Sequence, residues 1–200
     1  NFNYWPFQYE LHRRLRRYTA TWVKGKNYDH PAMAKFMEVT NNIPVPSRGY
    51  LIARDFKTTL DRRPTDEEYE AVRRWVDEGV DPGDAIPTEI RFRSRDVLGR
   101  RFDPAGMNYA TFLDNLFREM MERFVGLNEQ AFERGLHLLV FPQGTRSTRL
   151  SRGHIGLGQI ALHTKRPIVP VGANNMDQVY PTSGLIAKKA DVTFRFGPAI

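Results

Sequence analysis

The chain has 200 residues, 40% of them hydrophobic, with 13 Phe, 8 Tyr and 3 Trp. That is enough apolar mass for a packed core and too much for a disordered tail. It has no cysteine, which excludes a disulfide scaffold, a thiolate zinc site and a cysteine nucleophile. The net charge of +7 is uneven: residues 61–89 hold ten acidic side chains against four arginines, leaving 26 basic and 13 acidic side chains elsewhere. A surface of that kind attracts anions, whether nucleic acid, anionic lipid headgroups or a phosphorylated substrate. No run approaches the roughly 20 apolar residues of a membrane span. The length favours one domain over residues 1–200, and a start at Asn1 without Met or signal-peptide pattern reads as a slice of a longer protein.

Residues 1–18 read as an amphipathic helix, with Phe2, Trp5, Phe7, Leu11 and Leu15 apolar and Arg13-Arg14-Leu15-Arg16-Arg17 charged. Such a helix suits either a solvated face or a membrane interface, with arginines on lipid phosphates. Thr21–Val23 reads as a short strand, Asp29 and Pro31 open a helix to about Val39, and Asn41–Arg48 reads as a proline-punctuated loop. Tyr50-Leu51-Ile52-Ala53 reads as a buried strand ending at Arg54. Thr65 with Glu68 is a capping box opening a helix to about Glu78. Glycines and prolines after it make residues 61–106 an acidic insertion of one helix and long loops. Asn108 caps a long helix whose apolar residues, Tyr109 to Ala131, keep the i, i+3, i+4 period. Then come a strand (Leu136–Phe141), a glycine turn, a helix (about Gly156–Thr164), a strand (Pro167–Val171) and a last strand (Asp191–Phe196). Apolar strands alternating with helices predict an α/β fold: a mixed, largely parallel sheet with helices on both faces.

The stretch richest in chemistry is Phe141-Pro142-Gln143-Gly144-Thr145-Arg146-Ser147. Gly lets the backbone approach a ligand, Thr and Ser offer hydroxyls, and the Arg guanidinium matches a phosphate. Pockets of α/β folds lie at the carboxyl ends of strands, where this turn falls.

Taken in order, Gly49–Arg54, the Phe141–Ser147 turn and Pro167-Ile168-Val169-Pro170-Val171 resemble three of the four blocks of the lysophospholipid/glycerol-phosphate acyltransferases. The turn matches the family's Phe-Pro-Glu-Gly-Thr-Arg-Ser at six of seven positions. The resemblance implies transfer of a fatty acyl group from acyl-CoA or acyl carrier protein to a hydroxyl of a lysophospholipid or glycerol phosphate. It implies no metal and no cofactor beyond that acyl donor. Its setting is the cytoplasmic face of a membrane, peripheral or anchored through segments outside this chain, with the lipid surface and the acyl donor as partners and no nucleic acid. Arg54 and Arg146 hold the acceptor phosphate in this scheme, Gly144, Thr145 and Ser147 shape the turn, and Gln143 with Ile168, Val169, Pro170 and Val171 line the pocket.

Two departures stand out. The family's first block, Asn-His-x-x-x-x-Asp, has no complete counterpart, because none of His12, His30, His137, His154 and His163 has Asp five residues on. Alignment puts Asn3 at the aspartate's position and the histidine upstream, two residues separating it from Asn1. Gln143 stands where the family has Glu. A catalytically degenerate relative that binds phospholipid or acyl donor is therefore the alternative, with a basic nucleic-acid-binding module as a more distant one. His154 and His163 read as surface or core histidines. The 61–106 segment, longer than the family's connection there and opposite in charge to the rest, is expected to sit away from the bilayer or to fold over the basic pocket, without being needed for the sheet.

Overall fold

The computed structural model describes residues 4–144, 151–180 and 187–200. Among them the chain runs α1 (Tyr4–Leu15), β1 (Thr19–Lys24), α2 (Pro31–Val39), β2 (Asn42–Val45), α3 (Arg48–Leu60), α4 (Asp66–Glu78), α5 (Thr88–Phe92), β3 (Arg95–Val97), β4 (Arg100–Phe102) and α6 (Tyr109–Glu133). It continues through β5 (His137–Leu139), α7 (Gly156–Thr164), β6 (Val171–Asn174), α8 (Met176–Val179) and β7 (Thr193–Phe196). The protein is mixed α/β. Its contacts divide it into two compact units, one of Asn1–Trp22, Glu38–Ile43 and Leu127–Ile200, the other of Val23–Met37 and Pro44–Gly126.

In the first unit β1 pairs parallel with β5, Thr19 opposite His137 and Thr21 opposite Leu139, in a three-stranded sheet of order β2-β1-β5. β6 and β7 form a separate antiparallel pair. Tyr4, Ala20, Ile43, Ala131, Ile160 and Val179 are buried here, together with polar Thr19, Thr21 and Asn128. The polar groups are matched: Gln8 donates to the Thr19 and Thr21 hydroxyls at 2.5 and 3.0 Å, and the Trp22 indole donates to Asn128 at 2.7 Å. Buried hydroxyls and amides are tolerated only with such partners.

The second unit packs α3, α4, α5, the β3–β4 hairpin and the first part of α6 around one apolar cluster. Leu51, Ile52 and Phe56 come from α3, and Tyr109, Phe112, Leu113 and Leu116 from α6. Val72, Trp75, Ile86, Ile90, Val97 and Phe102 come from residues 61–106. Each such side chain contributes about 1.5–3 kcal/mol on burial. The 61–106 segment is thus no set of loops around one helix: it carries α4, α5 and a hairpin, and it builds this core. The capping box is present, Glu68 N–H donating to the Thr65 hydroxyl and Thr65 N–H to the Glu68 carboxylate.

At the centre of the cluster lies a buried ion pair. Arg95 uses all five guanidinium N–H groups: two on the Asp55 carboxylate (2.9 and 2.5 Å) and three on the Glu89, Ile90 and Arg93 carbonyls. Asp55 also accepts from the Tyr109 hydroxyl (2.6 Å) and from Thr59 (3.1 Å). Every polar atom of the pair is matched, the condition under which a buried charge is tolerated. Burial alone would depress Arg95, but the Asp55 hydrogen bonds and charge outweigh it and the guanidinium is held more firmly protonated. Burial, then the Asp55 charge, pushes the Tyr109 phenol well above its ordinary range.

That shift has a signed consequence. Above about pH 10 an unfolded tyrosine loses its proton while Tyr109 keeps its own, so the native state binds more protons and stability falls as pH rises. Its contribution is complete below pH 10. Denaturant unfolding between about pH 10 and 11 should give Tyr109→Phe a shallower loss of stability than the parent, by about 1 kcal/mol over that unit. Parallel slopes would contradict it.

Three sequence expectations are corrected. Residues 50–53 are not a strand: they lie inside α3, whose N-cap Ser47 accepts from the Tyr50 N–H at 3.1 Å. The buried positions Leu51, Ile52, Asp55 and Phe56 recur at helical spacing. The Asn41–Arg48 loop contains β2. Pro167–Val171 is not a strand up to its last residue: Pro167 and Pro170 have no N–H to give a ladder, and β6 starts at Val171. Ile168 instead exchanges two 2.9 Å backbone bonds with Ile200, and Pro170 accepts from Gly197.

Candidate functional site

In the first unit β5 ends at Leu139 and delivers the chain into a turn, Gly144 N–H bonding back to the Phe141 carbonyl at 2.9 Å. Gly144 has φ +66°, a left-handed conformation that favours glycine. The chain then comes back to the turn. The His154 N–H donates to the Pro142 carbonyl at 2.7 Å, and a side chain at Gly153 would meet Pro142 at 3.1 Å. The His154 ring lies on Gly144: a Cβ there would be 3.4 Å from Cδ2 and 3.5 Å from Nε2. Immediately beyond, α7 begins at Gly156 with no side-chain cap, and its Gly156 and Gly158 are open to their surroundings. The first turn of such a helix presents N–H groups without intrahelical partners. Gln143 and Gly144 are therefore in the turn expected of them, while Asn3, Thr145, Arg146 and Ser147 lie outside the described residues.

Of the other expected pocket residues, Val169 and Val171 are 48% and 38% exposed. They sit on the edge formed by β6, β7 and the Ile168–Ile200 bridge.

Arg54 is in the second unit, on α3, partly exposed, with its guanidinium 3.9 Å from Asp29. Asp29 also accepts from the Tyr50 hydroxyl at 2.6 Å. Burial and then this carboxylate push the Tyr50 phenol upward. The small depression beside Arg54, about 200 Å³, is lined by Arg54, Asp55, Thr58, Asp96, Val97 and Leu98. Of the carboxylates there, Asp55 is taken up by Arg95, which leaves Asp96 in the lining and Asp29 at the guanidinium.

The N-terminal helix has both of its expected faces, rearranged. Phe7 is turned inward, its ring 5.2 Å from Phe194 and 6.0 Å from Phe196 of β7, while Tyr9, Leu15 and Tyr18 are the exposed apolar groups at 65%, 62% and 58%. Glu10 pairs with Arg13 at 2.8 Å and Arg14 at 2.7 Å, whose hydrogen bonds hold its carboxyl down to about 2. Arg16 and Arg17 follow the helix and are exposed. No described helix is long and apolar enough to cross a membrane.

Compared with protein-family models, with curated proteins and with solved structures, the chain finds no match.

Proposed function

We propose that the chain is an acyltransferase domain that moves a fatty acyl group from a thioester, acyl-CoA or acyl carrier protein, to a hydroxyl of a lysophospholipid or glycerol phosphate at a membrane surface. The observation that carries the proposal is the β5–turn–α7 passage, whose Phe-Pro-Gln-Gly sequence leaves a parallel-paired strand, turns through a left-handed glycine and precedes a helix with an uncapped start. With the Thr-Arg-Ser that follows Gly144, this is the sequence on which the resemblance rests. The finer architecture, a largely parallel sheet with helices on both faces, belongs to the same proposal and is supported by the β1–β5 pair.

In the reaction the acceptor oxygen attacks the thioester carbonyl, a C–O bond forms, the C–S bond breaks, the hydroxyl proton passes to a base and the thiolate is re-protonated. The base falls to the histidine that the resemblance puts before Asn1, with Asn3 as its neighbour. An amide there orients an imidazole but does not stabilise its cation as a carboxylate does. Arg146 holds the acceptor phosphate, Gly144, Thr145 and Ser147 shape the turn around it, and Gln143 lines it. Ile168, Val169, Pro170 and Val171 supply an apolar edge for the acyl chain. The proposal rests the phosphate grip on Arg146 rather than on Arg54, the second arginine expected there, whose guanidinium already lies 3.9 Å from Asp29. Exposed Tyr9, Leu15 and Tyr18 beside Arg16 and Arg17 suit contact with an anionic bilayer.

Gln143 and Asn3, each neutral where the family has a carboxylate, favour one second reading: a relative that binds these ligands without turnover. Incubating the full-length protein with acyl-CoA and lysophosphatidate separates the two. Acyl transfer to give phosphatidate is expected; binding of lysophosphatidate without product selects the second reading.

A further inference from the structure

Five histidines are described, and of these only His154 is hydrogen-bonded through its backbone to the turn. His163 pairs with Glu129 at 2.9 Å, His12 stacks on Tyr18 at 4.6 Å, His137 is in β5, and His30 belongs to the second unit. His154 is different. Its backbone is tied to Pro142, its ring edge lies within van der Waals reach of Gly144, and the ring is exposed with no hydrogen-bond partner among the described residues. A histidine anchored through its backbone to a glycine turn, and not engaged through its nitrogens, is positioned before any ligand arrives.

The charge of the sequence on either side of it says what that ligand is. From Arg134 to Met176 the sequence has no Asp or Glu, while Arg134, Arg146, Arg149, Arg152, Lys165 and Arg166 are cationic. Gln143 removes the one carboxylate that the resemblance would put in the turn. No acidic side chain of this stretch competes for the imidazole N–H, and a stretch with only positive charges attracts anions. A ring nitrogen beside a turn is a charge-assisted donor to a phosphate oxygen.

We propose that His154 is a substrate-binding residue, donating an imidazole hydrogen bond to the phosphate of the acceptor at the Phe141–Gly144 turn. The proposal rests on the acyl-transfer reading for its substrate, a phosphate monoester on glycerol, either soluble or carried in a lipid.

The test has two readouts that fail independently. The full-length protein with ¹⁵N-labelled histidine is titrated with glycerol 3-phosphate, lysophosphatidate and, as a control, glycerol, the His154 ring being assigned by its loss in His154→Gln. The His154 nitrogens should shift saturably with a phosphate ester and not with glycerol; a response to lysophosphatidate alone assigns the site to the lipid acceptor, and a response to both extends it to the soluble one. A ring that stays unmoved by either ester overturns the proposal, whatever the enzyme does. In acyl transfer, His154→Ala should raise the acceptor KM about 10- to 100-fold and change kcat less than about 3-fold, with His154→Gln, which keeps an N–H donor, recovering part of the loss. A fall in kcat at constant KM overturns phosphate binding in favour of proton transfer. Absence of acyl transfer in the parent protein counts against the acyltransferase reading alone, since the titration still reads His154.

Discussion

Replacing Arg95 by alanine is expected to destabilise the second unit by about 3–5 kcal/mol, because among the described residues no other cation pairs with the Asp55 carboxylate it would strand in the core. Arg95 is 9% exposed and Asp55 1%, so solvent does not relieve the loss. The Ile90 and Arg93 carbonyls would lose the Arg95 donor as well, while the Glu89 carbonyl would keep the Arg93 N–H at 3.2 Å. A loss of that size is a large share of the roughly 5–15 kcal/mol that holds a domain folded. Urea unfolding of the full chain measures it. Replacing the pair together, Asp55→Leu with Arg95→Met, removes both charges and should recover much of the loss. A cost below about 1 kcal/mol for Arg95→Ala would mean that water reaches the pair. By the same logic, exchanging residues 61–103 for a Gly/Ser linker removes Val72, Trp75, Ile86, Ile90, Val97 and Phe102 from the core and should unfold this unit.

The second large effect concerns Arg146. Loss of a guanidinium grip on a phosphate removes about 2–4 kcal/mol of transition-state binding, so Arg146→Ala should lower kcat/KM by about 30- to 1,000-fold. Arg146→Lys should recover only part, since an ammonium is a point charge without the planar fork. Arg54→Ala should stay within about 3-fold of the parent, its surroundings being acidic. If Arg54→Ala and Arg146→Ala fall equally, Arg54 belongs to the site after all and the distinction drawn from its carboxylate neighbours is wrong.

What could be read in advance follows from how each signal arises. Capping residues act within one turn of chain, so Thr65 with Glu68 and Asn108 marked the starts of α4 and α6, and Asn108 does accept from the Thr111 N–H at 2.8 Å. The long amphipathic period of α6 and the Pro31 start of α2 were equally local. Tyr50-Leu51-Ile52-Ala53 was misread because four apolar residues in a row are compatible with a buried strand or a helix. The signal that decides lies outside the run, in Ser47 before it and in Asp55 and Phe56 after it. The role of 61–106 was hidden for another reason. Its apolar residues are sparse among charges, and only tertiary contact gathers them, so composition reads as surface what the fold uses as core. The Asp55–Arg95 pair joins residues 40 apart in sequence, beyond any local pattern.

The candidate site divides in the same way. The Phe141–Gly144 turn was legible because glycine at a strand end has a physical meaning that does not depend on neighbours, and its φ of +66° bears that out. The seating of His154 on Gly144 was not, because it depends on the chain coming back to Pro142. A signal was nevertheless present: a stretch of 43 residues without a carboxylate, with a histidine near its centre.

The most direct test of acyl transfer follows the label itself. The full-length protein is incubated with ¹⁴C-acyl-CoA and lysophosphatidate in anionic vesicles, and the lipids are separated. The account predicts labelled phosphatidate formed in proportion to enzyme, with release of one free thiol per acyl group moved, and a rate at least about 30-fold lower for Arg146→Ala. Labelled free fatty acid without phosphatidate, or phosphatidate formed equally well by Arg146→Ala, would contradict it.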